Sequence, residues 1–222
     1  MSETGERIAE NQETSPLPPP LAELRTQAWP ALLSVLLLTL VTGVGFPLVL
    51  AALARPLFPY QSEGSLLDGP DGVIGSSLLG QNFFQPGYFH PRPSAAGEGY
   101  DATASGGTNF GPSNPKLGDD VRRRVADYRR QNGLSAETII PMDAVTHSGS
   151  GLDPHISLAN ALLQAPRIAR VRGLNEDRVR QLIAGHTQER QFGFLGEVRV
   201  SVLPLNLALD RIAPLPAASS GR

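Results

Sequence analysis

Three glycine-rich stretches hold the residues whose types and spacing could do chemistry. In Thr146-His147-Ser148-Gly149-Ser150-Gly151-Leu152-Asp153, two glycines alternate with two hydroxyls. That pattern suits phosphate or backbone contacts through exposed amides, although a lone G-x-G is a weak signal. Ser105-Gly106-Gly107-Thr108-Asn109-Phe110-Gly111 runs toward a helix capped by Asn114, and successive amides ahead of a helix N-terminus can hold an anion. No G-x-x-x-x-G-K-[ST] is present and Lys116 already falls inside the helix, so a tight structural loop is the plainer reading. The third stretch, Gly64 to Gly75, reads as simple turns. The histidines are His90, His147, His155 and His186, and none forms H-x-x-x-H or a comparable ligand cluster. His147 and His155 could meet Asp153 at a metal, but loop histidines at the surface are the simpler expectation. Ser148 lacks a G-x-S-x-G elbow, and Asp119-Asp120 are adjacent on a solvated helix face rather than an acid/base pair. No catalytic centre is written in the chain.

The elements that must position these loops follow from periodicity and capping signals. Leu117, Val121, Val125 and Tyr128 fall on one helical stripe, with Asn114 as cap, Pro115 in the first turn and Gly133 as stop. Arg122, Arg123, Arg124, Arg129 and Arg130 face away from it. A nucleic-acid surface there lacks aromatic interleaving, so a solvated face is expected instead. Ser157 caps a second helix reaching about Val171 and interrupted near Pro166. Asn175 caps a third, with Glu176 and Asp177 in its first turn, Val179, Leu182 and Ile183 buried, and Gly185 at its end. Strands are expected at Gly72 to Leu79, Tyr88-Phe89 and Val198 to Leu203. Short strands followed by helices give a mixed α/β (α+β) soluble domain.

The 222 residues suffice for one domain plus an anchor. Hydrophobic residues at 41% and charged residues at 18% exclude both overall disorder and a many-helix transporter. A net charge of −2 argues against nucleic acid as partner. Zero cysteines exclude disulfides, thiolate metal sites and cysteine nucleophiles. From Thr26 to Ala54 there is no charged residue, and Trp29 to Leu53 is dominated by leucine and valine. As a helix that run spans roughly 37 Å, more than the ~30 Å of a bilayer core. Ala52-Leu53-Ala54 resembles a signal-peptidase site, but the apolar run is too long and the preceding segment is acidic. A buried soluble helix rarely stays uncharged for so long. A retained membrane span is therefore expected, with Trp29 at one end, Phe58 and Tyr60 beyond the other, and Pro47 kinking or unwinding its outer part. Thr39, Gly43 and Pro47 lie four apart and, with Thr42 and Gly45, leave a smooth face on which a neighbouring helix could pack. The expected organisation is a disordered tail over 1–27, a transmembrane helix over 28–54, an α/β domain over 55–213 and a flexible tail over 214–222.

The order of segments along the chain resembles a known family. Phe46-Pro47-Leu48 ends the span. Gly80-Gln81-Asn82-Phe83, Tyr88-Phe89-His90-Pro91-Arg92-Pro93-Ser94 and Ala104-Ser105-Gly106-Gly107-Thr108-Asn109 follow. Ser148-Gly149-Ser150-Gly151-Leu152-Asp153-Pro154-His155, Gln164-Ala165-Pro166-Arg167 and Leu205-Asn206-Leu207-Ala208-Leu209-Asp210 complete the series. From about Trp29 to Arg211 this resembles the KdpC family, the C subunit of the bacterial Kdp potassium-transporting ATPase. Phe46 stands where the family usually has Tyr, Pro91 where Gly or Ser is usual, and the acidic start is longer. The resemblance implies a non-catalytic subunit that assembles or stabilises a potassium-uptake pump and supports ATP binding by its catalytic subunit. Its implied partners are a potassium-channel-like subunit, a P-type ATPase subunit and a small stabilising subunit. The absence of D-K-T-G here agrees with that division of labour. Ser148, Gly149, Ser150, Gly151 and Asp153 are the nucleotide-contact candidates that the resemblance implies; no catalytic or metal-ligating residue is expected, and ATP is a ligand shared with the catalytic subunit. Arg25 and Arg55 balance the positive-inside count, so the orientation comes from the resemblance: N-terminus cytoplasmic, domain outside the inner membrane. A membrane-tethered ligand-binding or sensor domain is the alternative.

Overall fold

The computed structural model describes residues 20–69 and 72–215, with side chains from Leu24 onward. Most of the two expected tails lies outside these described residues. The chain forms two compact units that divide between Ser62 and Glu63.

The first unit is a long apolar helix. Helix α1 (Pro20–Leu38) continues through a π-helical turn (Thr39–Gly45) into α2 (Phe46–Leu57), and a short α3 (Pro59–Ser62) follows. The stretch Leu24–Leu57 is long and apolar enough to cross a membrane, and among the described residues none buries its apolar window. The disturbance expected at Pro47 takes the form of the π turn just before it. The Phe46 amide reaches back to the Val41 carbonyl, one residue further than in an α-helix. Two polar side chains within the span are satisfied locally, as lipid demands: Ser34 donates to the Pro30 carbonyl at 2.8 Å and Thr42 to the Leu38 carbonyl at 2.6 Å.

The second unit is mixed. A hairpin of β1 (Leu66–Gly69) and β2 (Gly72–Ser76), antiparallel with an irregularity between Leu67 and Asp68, replaces the simple turns expected at Gly64 to Gly75. A long irregular segment then leads to α4 (Pro115–Asn132). Beyond it come β3 (His155–Ser157), α5 (Leu158–Arg172), α6 (Glu176–Gly185), β4 (Thr187–Gln188), β5 (Arg199–Ser201) and α7 (Val202–Ile212). The order β3-β5-β4, antiparallel throughout, makes a small sheet.

The capping signals act as the sequence implies. Asn114, Ser157 and Asn175 each accept a bond from an amide in the first turn of α4, α5 and α6, which satisfies donors the helix leaves orphaned. Gly133 closes α4 with φ +65°. Pro166 does not interrupt α5. It sits on the exposed face, so the missing hydrogen bond opens toward water while Ala165, Ile168 and Ala169 stay packed. The strand expected through Leu203 stops at Ser201, where α7 begins.

Helix α5 is central because both its sides are buried. Ala161, Ala165 and Ile168 join Val179 and Ile183 of α6, Leu205 and Leu209 of α7, and Val200 of the sheet. Leu163 meets a second cluster built by Tyr128, Val121 and Val125 of α4 with Ala144 and Val145.

Candidate functional site

Polar residues sit inside the apolar stripe of α5 and form a continuous network, half-buried at Asp143 and Ser157 and buried from Asn160 to Arg167. Asp143 accepts from the Ser157 amide and hydroxyl, both at 2.8 Å, and from Asn160 Nδ2 at 2.9 Å. Asn160 Oδ1 accepts from the Tyr128 hydroxyl at 2.7 Å and from Gln164 Nε2 at 2.9 Å. Burial raises the Tyr128 phenol above its ordinary range, so it remains a donor. Gln164 Oε1 accepts from Arg167 Nη2 at 2.7 Å, and Arg167 Nε donates to Asn132 Oδ1 at 2.9 Å. Arg167 is only 3% exposed, and its remaining bonds go to the Pro86 and Tyr88 carbonyls. Burial lowers its guanidinium to about 10, so it stays charged at neutral pH. Its partners are amides and carbonyls rather than a carboxylate. The network thus fastens the irregular segment 86–90 to α4 and α5.

That segment leads directly to the glycine–serine loop. Arg92 Nη1 pairs with Asp153 Oδ2 at 2.9 Å, and Nη2 donates to the His147 carbonyl at 3.2 Å. Ser94 Oγ donates to the Gly151 carbonyl at 2.6 Å and accepts from the amides of Ala96 and Tyr100. On the other side, the Gly106 amide and the Ser105 hydroxyl both reach the Ser150 carbonyl at 2.9 Å. Two of the three glycine-rich stretches therefore meet, with Arg92 and Ser94 between them.

Within the loop two amides are committed to serine oxygens. The Gly151 amide bonds Ser148 Oγ at 2.8 Å, and the Leu152 amide bonds Ser150 Oγ at 3.1 Å. Gly151 has φ +68°, and a Cβ there would lie 2.7 Å from the Ala96 nitrogen and the Gly106 oxygen. Only glycine fits. Gly149 has open space around it. Asp153 Oδ1 accepts from the His155 amide at 3.0 Å. Burial pushes the Asp153 carboxyl up, but the bonds from His155 and the Arg92 guanidinium outweigh it and hold the group below its usual range. A groove of about 520 Å³ runs past Leu78, Arg92, Ser105, Ser148, Gly149 and Ser150. In this groove Arg92 is paired with Asp153, and the Ser105 hydroxyl is spent on the Ser150 carbonyl.

Of the histidines, His155 meets Asp153 and His147 turns its ring to Arg124. His147 accepts a bond from Arg124 Nη2 at 3.0 Å through Nε2, since a guanidinium only donates. His155 Nδ1 lies 3.6 Å from Asp153 Oδ1, while His90 and His186 each bond a backbone carbonyl. Among the described residues no three His, Cys, Asp or Glu gather to hold a metal. Asp119, Asp120 and Asp127 pair with Arg122, Arg123 and Arg130 along α4. Arg124 and Arg129 do not face away as the periodicity suggests. They turn inward to His147 and to the Thr138 carbonyl, because 124 shares a helix row with Tyr128 and 129 shares one with Val125, both of which pack on the second cluster. Arg92 is the central residue that sequence reasoning passed over. Its only signal was a lone arginine between Pro91 and Pro93.

The fold and these contacts coincide with a family match over most of the chain. The KdpC family model, described as K+-transporting ATPase, c chain, matches residues 28–211. The potassium-transporting ATPase KdpC subunit of Mycobacterium tuberculosis (strain ATCC 25618 / H37Rv) is 52% identical over 189 residues, covering 85% of this chain and 100% of that protein. The same-named subunit of Koribacter versatilis is 48% identical over 190 residues, covering 83% and 96%. That of Polaromonas naphthalenivorans is 52% identical over 189 residues, covering 85% and 96%. With its long apolar helix, its mixed α/β domain and this extent of identity, the chain belongs to the KdpC family of K+-transporting ATPase subunits.

Proposed function

We propose that this chain is a non-catalytic subunit that assembles and stabilises a potassium-uptake pump through its membrane span and supports ATP binding by the catalytic subunit. Its partners in this reading are the channel-like subunit, the P-type ATPase subunit and the small stabilising subunit. One observation carries the reading: Leu24–Leu57 is an apolar helix that none of the described residues bury, which leaves it to lipid and partner helices. Its small residues favour a partner on one face. A Cβ on Gly43 would find only Thr39 Cγ2, at 3.7 Å, and one on Gly45 only the Leu40 oxygen, at 3.5 Å. The helix itself therefore does not demand glycine at either position, and close approach of a neighbour is the remaining physical use.

Residues 1–27 are cytoplasmic and residues 55–213 lie outside the membrane in this reading. A domain so placed cannot meet cytosolic ATP, and support of nucleotide binding is then a coupling free energy through the complex, about 1–3 kcal/mol. The Ser148–Asp153 loop, with the Gly151 and Leu152 amides bonded to Ser148 and Ser150 and Gly151 wedged against Ala96 and Gly106, acts in this scheme as a rigid frame. Protease added to intact spheroplasts should digest the domain and spare the first 27 residues. The isolated chain should show no ATP hydrolysis, and pump lacking it should bind ATP about 5–150-fold more weakly. A domain protected until the membrane is permeabilised would reverse the orientation and make direct nucleotide contact through Ser148, Gly149, Ser150, Gly151 and Asp153 the better reading.

A further inference from the structure

The connection between β4 and β5 ends in a tight turn that exposes two aromatic rings. Gln191 and Leu195 exchange both backbone hydrogen bonds at 2.9 Å, and the Phe194 amide reaches the Gln191 carbonyl at 3.2 Å. Phe192 and Gly193 both have positive φ, +53° and +80°, as a type I′ turn requires. Glycine accepts that backbone readily, whereas a bulky residue there is an outlier. Phe192 is nonetheless 87% exposed and Phe194 71% exposed, with Leu195 beside them. Phe192 thus combines a strained backbone with no burial, and neither term favours folding. An outlier of this kind points to function, and the contiguous apolar tip is not the scattered single exposure usual on surfaces.

We infer that the Gln191–Leu195 turn is a docking knob that seats Phe192 and Phe194 in an uncharged apolar cleft of another pump subunit. The inference rests on the assembly reading above and names a surface on the domain for it. The choice of a protein over lipid follows from the charges around the knob. Glu189, Arg190, Glu197 and Arg199 form a collar of two acids and two bases. Arg190 pairs with Glu197 at 2.9 Å across the neck, and Arg199 Nε bonds Gln188 Oε1 at 3.0 Å. A lipid-binding tip would carry an excess of Lys or Arg for anionic headgroups, and interfacial positions favour Trp and Tyr. An aromatic centre ringed by balanced charge matches the apolar core and polar rim of a protein interface. The arm that carries the knob is rooted in the paired strands β4 and β5, where Val200 joins the core.

The test replaces Phe194 with the photoreactive benzoylphenylalanine in the full chain and irradiates the assembled complex in membranes. The expected result is an adduct between this chain and another pump subunit. An adduct with lipid or with a second copy of this chain, or no adduct while the complex still co-purifies, overturns the knob and leaves the assembly reading standing. If the unmodified chain retains no pump subunit at all, the assembly reading fails, and the knob with it. A second variant separates docking from folding. Phe192→Gly relieves the positive φ, so the melting temperature should hold or rise while recovery of pump subunits falls several-fold. Unchanged recovery would overturn the proposal.

Discussion

Asn206 holds both backbone polar groups of Phe89: its Oδ1 lies 2.8 Å from the Phe89 nitrogen and its Nδ2 lies 3.0 Å from the Phe89 oxygen. Gln164 does the same for His90, at 2.7 Å and 3.1 Å. Successive residues of an extended chain present their backbone groups to opposite sides. Here an amide from α7 and an amide from α5 take the places that two neighbouring strands would fill. The segment reads as a strand in sequence because its backbone is paired like one, yet no strand flanks it. Arg167 then clamps the preceding Pro86 and Tyr88 carbonyls from the same helix.

Replacing Asn206 by Leu keeps the branched side-chain shape but strands the buried N–H and carbonyl of Phe89. Each such group costs about 1–3 kcal/mol, so Asn206→Leu should lower unfolding free energy by about 2–4 kcal/mol. Denaturant unfolding of the purified chain measures it. A loss within the usual surface range would show that the amide ladder is not what fastens Phe89.

Two neighbouring glycines should behave oppositely. Gly151→Ala meets backbone atoms at 2.7 Å in a left-handed conformation and should destabilise by about 2–4 kcal/mol. Gly149→Ala has open space and should stay within about 0.5 kcal/mol of the parent. The pair also bears on nucleotide binding: with coupling through the complex, Gly149→Ala leaves the apparent ATP affinity of the assembled pump unchanged.

Acid should weaken the domain through two histidines. Burial, and then the charge of Arg167, depresses His90; burial, and then Arg124, depresses His147. Both hold protons less well folded than unfolded. Their contribution is therefore fully present above the unfolded value of about 6.5 and lost as pH falls below it toward the folded values. The melting temperature should drop between pH 7 and pH 5, and the His90→Gln, His147→Gln double variant should flatten that slope. A slope identical to the parent's would assign the effect to other groups.

Gly43→Leu places a large side chain on the smooth face of the span. The helix should persist, since leucine is a good helix former, but recovery of the channel-like subunit in mild detergent should fall several-fold. Recovery equal to that of the parent would move the partner face elsewhere on the helix.

The local signals in this sequence were strong enough to act alone. An uncharged run as long as Thr26 to Ala54 has few physical options, and Asn114, Ser157 and Asn175 cap helices because each supplies an acceptor where orphaned amides begin. The glycine pattern around Ser148 likewise marked a loop that Gly151 makes obligatory. What stayed hidden depends on partners distant in the chain. Arg92 matters because Asp153 and His147 come to it, and Gln164 and Asn206 look like misplaced polar residues until the segment 86–90 arrives between their helices. Periodicity reports which face of an element is buried. Which buried donor meets which acceptor is decided only when the elements pack, because a side-chain amide can replace a strand and leave no periodic trace.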